Sequence, residues 1–377
     1  MRILFVGGNG AGTLFPLIPL AQATRNAGHE VFMTGPEALA GDIAGAGLPP
    51  VVVTDRSVAD FRIPGLGNTA PVSEEGLDSY LAIGRMFGGY AADCLDPLLR
   101  LADDWRPDLV VGVVLAYAAP LVAHHAGVPF VRFATDLAEP AVTNLAAAAQ
   151  LGLEMERFGL YEMPRPALSI SVCPSAARPA VVPPALPMRH IPYTSQRPVE
   201  PWLHSAHDRP RVLVSAGSRV TPDHDFDILD GLVRATSSLD AELLIAAPEA
   251  VAEKLRPLPA HARADWIPLD TAMPTINAMV HHGGGSTTLA GMAHGVPQIL
   301  IPHMLGLDYT HRLAELGSAK LITPEEDTAD TIVAAVEEVL GNASYRDAAD
   351  RLRSDMNAMP GPAELVPSLE SLANSGP

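Results

Sequence analysis

The chain is predicted to be an α/β protein made of two doubly wound, Rossmann-like domains facing a cleft. Three observations predict it. Apolar strand runs alternate with stretches of helix length from residue 2 to residue 133, and the alternation resumes at residue 211. Between these series lies a proline-dense connection from Pro174 to Pro210, the signature of an extended link. A length of 377 residues with 48% hydrophobic residues suits two domains of ordinary size, each with a substantial core.

Residues 2–6 read as a short apolar strand, residues 15–27 as a helix stopped by Gly28, and residues 30–34 as a second strand. Further strands fall at residues 51–53, 108–113 and 130–133, separated by helices over residues 77–102 and 118–126. Alternation of this kind demands a parallel sheet covered on both faces. Residues 54–73 hold Pro64, Gly65, Gly67 and Pro71 and are expected to form a long loop. Phe61, Tyr80, Met86 and Phe87, in or just beyond it, are candidates for walling an apolar acceptor cavity, against plain core packing as the alternative. The second series places strands at residues 211–215, 241–246, 264–267, 278–281 and 298–301. The resulting division is 1–200, 208–357 and a helical segment, 358–377, expected to pack back on the first domain.

Composition narrows the partners. Against 43 Asp and Glu stand 25 Lys and Arg, a net charge of −18, and no basic cluster interrupts the trend, so nucleic acid is not expected. Cys94 and Cys173 are too few for a disulfide framework, and a cytoplasmic location is the expectation. Residues 7–12 break the first apolar run, which therefore reads as strand, glycine loop and helix rather than a secretory leader. Residues 109–131 lack Asp, Glu, Lys and Arg, but Pro120, Pro129 and the His124-His125 pair argue against a membrane span.

The richest segment runs from Val280 to Ala290. An apolar strand empties through His281-His282 into Gly283, Gly284 and Gly285, then into a helix start carrying Ser286 and Thr287. Glycines let an anion reach the backbone, and the free N–H groups of a first helical turn attract it. A histidine there can donate to an oxyanion or lend it charge. The bland alternative is an ordinary strand-to-helix turn. The first glycine loop, Gly7 to Thr13, is neither a P-loop, because Thr13 stands where Lys is required, nor a dinucleotide fingerprint, because Thr34-Gly35 replaces the acid. It is read as a loop that lets a substrate approach the sheet, with Gly10 and Thr13 as contacts. Adjacent histidines on a strand face opposite ways, so no metal site is expected. Asp136, just past the strand over residues 130–133, is the candidate general base, with helix capping as its competitor.

Taken together, Trp266-Ile267-Pro268-Leu269, the His281–Thr287 segment and Gly295-Val296-Pro297-Gln298 resemble the GT-B glycosyltransferases that decorate antibiotics with nucleotide-activated sugars. The resemblance covers almost the whole chain and implies an inverting, metal-free transferase with the acceptor in the first domain and a dTDP-sugar in the second. It implies Trp266 near the base, Gly217 and Ser218 beside the diphosphate, and His281 with the amides of Gly283 to Thr287 gripping that diphosphate as it leaves. Asp308-Tyr309 stands where the family holds the sugar with Asp-Gln, which points to a deoxysugar and makes Asp308 its expected contact. Leu289 replaces the ribose-holding glutamate of related plant enzymes, consistent with thymidine over uridine. Thr13 replaces the family's usual catalytic histidine. Its loss, with Asp136, resembles the aromatic-polyketide subgroup that includes urdamycin-type C-glycosyltransferases, so a C-glycoside is the first expectation. The alternatives are O-glycosylation of another polyketide or macrolide, a non-catalytic helper of a partner transferase, and an epimerase or hydrolase of the same fold. Small-molecule substrates, no membrane and no cofactor beyond the donor complete the reading; a homodimer is left open.

Overall fold

The computed structural model describes residues 1–377 except 62–75, 136, 138–140, 179–183, 206, 219, 224, 303–307, 324 and 376–377. The chain divides into two compact units. The first comprises Met1–Cys173, Ala180–Arg189 and Met359–Pro377, and the second Pro174–Pro179 and His190–Ala358.

The first unit holds strands β1 (Arg2–Val6), β2 (Glu30–Pro36), β3 (Pro50–Thr54), β4 (Leu109–Val113), β5 (Phe130–Ala134), β6 (Leu168–Ser171) and β7 (Leu186–Pro187). They form one parallel sheet in the order β3-β2-β1-β4-β5-β6-β7. The order reverses between β1 and β4, the mark of a doubly wound fold. Every residue of β4 is buried, as a central strand covered on both faces requires. Gly112 in β4 makes room for the following helix Ala118–Ala126: a methyl group there would come 2.4 Å from Cβ of Ala119. The helix Gly76–Trp105 meets the helix Ala141–Gln150 through Gly84, where a methyl group would come 2.3 Å from the Thr143 carbonyl oxygen. The C-terminal helix Pro362–Ser375 packs on the helix Ile18–Asn26 of this unit. It is led in by the Arg189 N–H, which donates to the Pro360 carbonyl at 2.8 Å.

The second unit holds β8 (Arg211–Ser215), β9 (Glu242–Ala246), β10 (Ala262–Asp265), β11 (Ala278–His281), β12 (Gln298–Leu300) and β13 (Ala319–Leu321). All pair in parallel, in the order β10-β9-β8-β11-β12-β13. Alternate residues feed opposite faces. Val212, Val214 and Val280 pack with Leu229, Val233 and Val336, while Leu213 and Met279 pack with Met273, Ala290 and Val296. Here the order reverses between β8 and β11, so the loops leaving those two strands are where an α/β sheet presents a ligand crevice.

Candidate functional site

Ser215 and His281, the last residues of β8 and β11, are paired neighbours in the sheet. The chain beyond each strand therefore departs from one place. After β8 the Ser215 hydroxyl accepts the Gly217 N–H at 3.1 Å and folds the turn, in which Gly217 has φ +90°. After β11, Gly283 has φ +79°, a left-handed conformation that glycine tolerates, and Gly284 caps the helix Gly285–His294. The His282 ring lies between the two turns. A methyl group at Gly217 would come 2.6 Å from Cε1 of His282, and one at Gly284 would come 2.6 Å from its Nε2. Glycine at both positions is what admits the ring.

Gly284, Gly285, Ser286 and Thr287 are half-buried at the helix start, and Ser218 is exposed on the facing turn. The structure thus gathers Gly217, Ser218, Gly283, Gly284, Gly285, Ser286 and Thr287 around one helix N-terminus. Its amides can accept an anion.

The His281 side chain is placed differently from the sequence expectation. It is 1% exposed, Nε2 lies 2.8 Å from Oε1 of Gln298, and Nδ1 accepts the Gly283 N–H at 3.2 Å. Burial, with the neighbouring His282 charge, pushes its pKa down to about 3 against the opposing Gln298 bond, so the ring is neutral. It acts on the loop from behind and lends no positive charge. Gln298 in turn donates to the Thr288 carbonyl at 3.2 Å, and the Thr288 hydroxyl donates to the Gly284 carbonyl at 3.0 Å. Gly291 leaves room for that amide: a methyl group there would come 2.8 Å from Nε2 of Gln298.

Trp266 follows β10 and is half-buried; its indole N–H donates to the Ser195 carbonyl at 3.4 Å. Asp270 holds the same strap through Thr194 at 2.5 Å and Gln196 at 2.6 Å. Leu289 is fully buried, so it offers nothing to a ribose. Asp308 is exposed at the start of the helix Asp308–Glu315, while Tyr309 is 1% exposed and its hydroxyl donates to the Gly283 carbonyl.

In the first unit Gly10 caps the short helix Ala11–Leu14, and the Thr13 hydroxyl folds back to the Gly10 carbonyl at 3.1 Å. A methyl group at Gly8 would come 1.9 Å from that hydroxyl, so the glycine loop closes on Thr13. Phe61 is half-buried, edge-on to Tyr90 at 6.0 Å and beneath the Arg56 guanidinium at 4.0 Å. Met86 and Phe87 are buried and Tyr80 is half-buried along the helix Gly76–Trp105. Asp136 and most of the loop expected over residues 54–73 lie outside the described residues. Among the described residues no His, Cys, Asp or Glu cluster could hold a metal, and no helix is long and apolar enough to cross a membrane. His124 and His125 end the helix Ala118–Ala126 before left-handed Gly127, with His125 Nε2 2.7 Å from Asp103.

Two family models, described as the N-terminal and C-terminal domains of erythromycin biosynthesis protein CIII-like, match residues 22–217 and 230–372. The chain belongs to this family. It is a GT-B natural-product glycosyltransferase. The transferase is 32% identical over 381 residues to the L-demethylnoviosyl transferase of Streptomyces niveus, covering 98% of this chain and 97% of that one. It is 28% identical to the aclacinomycin-T 2-deoxy-L-fucose transferase of Streptomyces galilaeus, covering 99% and 96%. Among solved structures it resembles a Streptomyces sp. SF2575 glycosyltransferase complexed with thymidine diphosphate. That match has a TM-score of 0.85 and 30% identity, and covers 98% of this transferase and 99% of that chain.

Proposed function

We propose that this transferase moves a deoxysugar from a dTDP-sugar to an aromatic polyketide aglycone in antibiotic biosynthesis, with inversion at the anomeric carbon and a C-glycoside as product. The observation that carries the reading is the glycine-walled helix N-terminus between the ends of β8 and β11. Its amides, from Gly283 to Thr287, face the place where the diphosphate takes up the electrons of the broken glycosidic bond. The thymidine diphosphate complex of the Streptomyces sp. SF2575 relative supports the nucleotide, and the 2-deoxy-L-fucose transferase supports the sugar class.

On the acceptor side, Asp136 is assigned as the base that takes a phenolic proton. Electron density moves to the ortho carbon, which attacks the anomeric carbon from the face opposite the departing dTDP. Loss of the ortho proton then restores aromaticity. Thr13 does not substitute as base, because a neutral hydroxyl binds a proton only very weakly; its O–H donates to the Gly10 carbonyl.

The test is to incubate the protein with a dTDP-6-deoxyhexose and a panel of polyketide aglycones, following products by mass spectrometry and NMR. A carbon-linked glycoside formed with equimolar dTDP supports the reading in full. An oxygen-linked product replaces the C-glycoside assignment, and free sugar without a glycoside replaces transfer with hydrolysis.

A further inference from the structure

Tyr309 occupies the second position of the pair expected to hold the donor sugar, yet its side chain is turned inward. It is 1% exposed, and its hydroxyl donates to the Gly283 carbonyl from the helix that follows β12. The N–H of Gly283 is held by Nδ1 of His281 at 3.2 Å. Both ends of one glycine are thus bonded by buried side chains from different elements. The next carbonyl, of Gly284, is held by the Thr288 hydroxyl at 3.0 Å.

Gly283 stands at φ +79°, and glycine loses more backbone freedom on ordering than any other residue. Three glycines in succession would leave the turn open to many conformations. The restraints needed to aim its amides at an anion must therefore come from outside the turn, and these bonds supply them. Preorganised dipoles bind a developing charge without reorganising at the moment of reaction.

Resting on the donor reading above, we infer that Tyr309 is a positioning residue for the diphosphate and not a ligand of the sugar. Its hydroxyl sets the Gly283 peptide from the interior. The sugar is then recognised without a side-chain amide at position 309, which fits a hexose lacking one of the hydroxyls such an amide would read.

Tyr309→Phe removes the hydroxyl and keeps the ring. A tyrosine that positions the loop must serve dTDP and the dTDP-sugar alike. The dissociation constant of dTDP and the KM of the dTDP-sugar are therefore expected to rise together, by roughly five- to tenfold, with the acceptor KM unchanged. Weaker dTDP-sugar use with unaltered dTDP affinity would make Tyr309 a sugar ligand and overturn the inference, as would no change in either. Failure of the parent protein to bind dTDP would instead remove the donor reading itself. Hydrogen exchange on the parent protein gives a second test that needs no variant. The amides of Gly283 and Thr288, bonded to Nδ1 of His281 and to the Gly284 carbonyl, are expected to be protected before dTDP is added, while the free first-turn amides gain protection on binding; fast exchange of Gly283 and Thr288 in the free protein would contradict a preset turn.

Discussion

Nε2 of His281 lies 2.8 Å from Oε1 of Gln298, and both side chains are 1% exposed. The contact decides a tautomer. The Gln298 amide nitrogen donates to the Thr288 carbonyl, so its oxygen is left to accept from His281, whose Nδ1 is then free to accept the Gly283 N–H. Gln298→Leu would leave the His281 donor and the Thr288 carbonyl without their partner in a buried place. A loss of about 1–3 kcal/mol is expected in urea denaturation, together with weaker dTDP binding by calorimetry. Parent-like values of both would show that the pair does not hold the loop.

Acid should destabilise the fold through two buried histidines. Burial pushes both His281 and His190 from 6.5 down to about 3, with charges on His282 and His294 as the respective second causes. The unfolded chain binds these protons more readily than the folded one. Each contribution is therefore whole above pH 6.5 and declines as pH falls from 6.5 toward 3, by at most on the order of 1 kcal/mol per pH unit for each histidine. Urea midpoints measured between pH 7 and pH 4 should show this slope, reduced in His190→Asn. A midpoint independent of pH over that range would rule the mechanism out.

Much of the fold can be read in the sequence. Strands β1, β8 and β11 appear at the predicted residues, because each is a short apolar run bounded by turn-forming residues. Strands β6, β7 and β13 are not among the predicted elements. They are two to four residues long, too short to display a period, and only pairing with β5, β6 and β12 respectively reveals them. The strand expected over residues 264–267 runs instead over Ala262–Asp265, because its pairing with β9 ends at Asp265 and Ala246.

At the site, the glycine loop and its helix start were legible, because glycine runs and a hydroxyl pair are local signals. The direction of His281, the bond from Tyr309 and the place of His282 were not. Which way each ring of an adjacent pair points depends on strand register, and the reach of Gln298 and Tyr309 depends on elements far away in sequence.

Thymidine diphosphate should bind more tightly than uridine diphosphate. Leu289 is fully buried and cannot hydrogen-bond a ribose 2′-hydroxyl, while the half-buried Trp266 can pack beside a base. Competition between the two nucleotides on the parent protein measures the preference directly; equal affinity would remove it.

Asp136→Asn keeps the size of the side chain and its capacity to cap a helix but removes its basicity. Turnover should fall by roughly 10²–10⁴-fold while donor binding and melting temperature stay as in the parent. Turnover close to that of the parent would return Asp136 to a capping role.

The central claim is that the turn after β11 is the diphosphate site, and Gly284→Ala tests it most directly. A methyl group there would come 2.6 Å from Nε2 of His282, so the ring or the turn must shift, on the side where the amides are presented. Calorimetric titration with dTDP, on protein whose melting temperature is checked alongside, is predicted to show affinity reduced at least roughly tenfold. Unchanged dTDP affinity in the folded variant would contradict the assignment of this turn as the donor site.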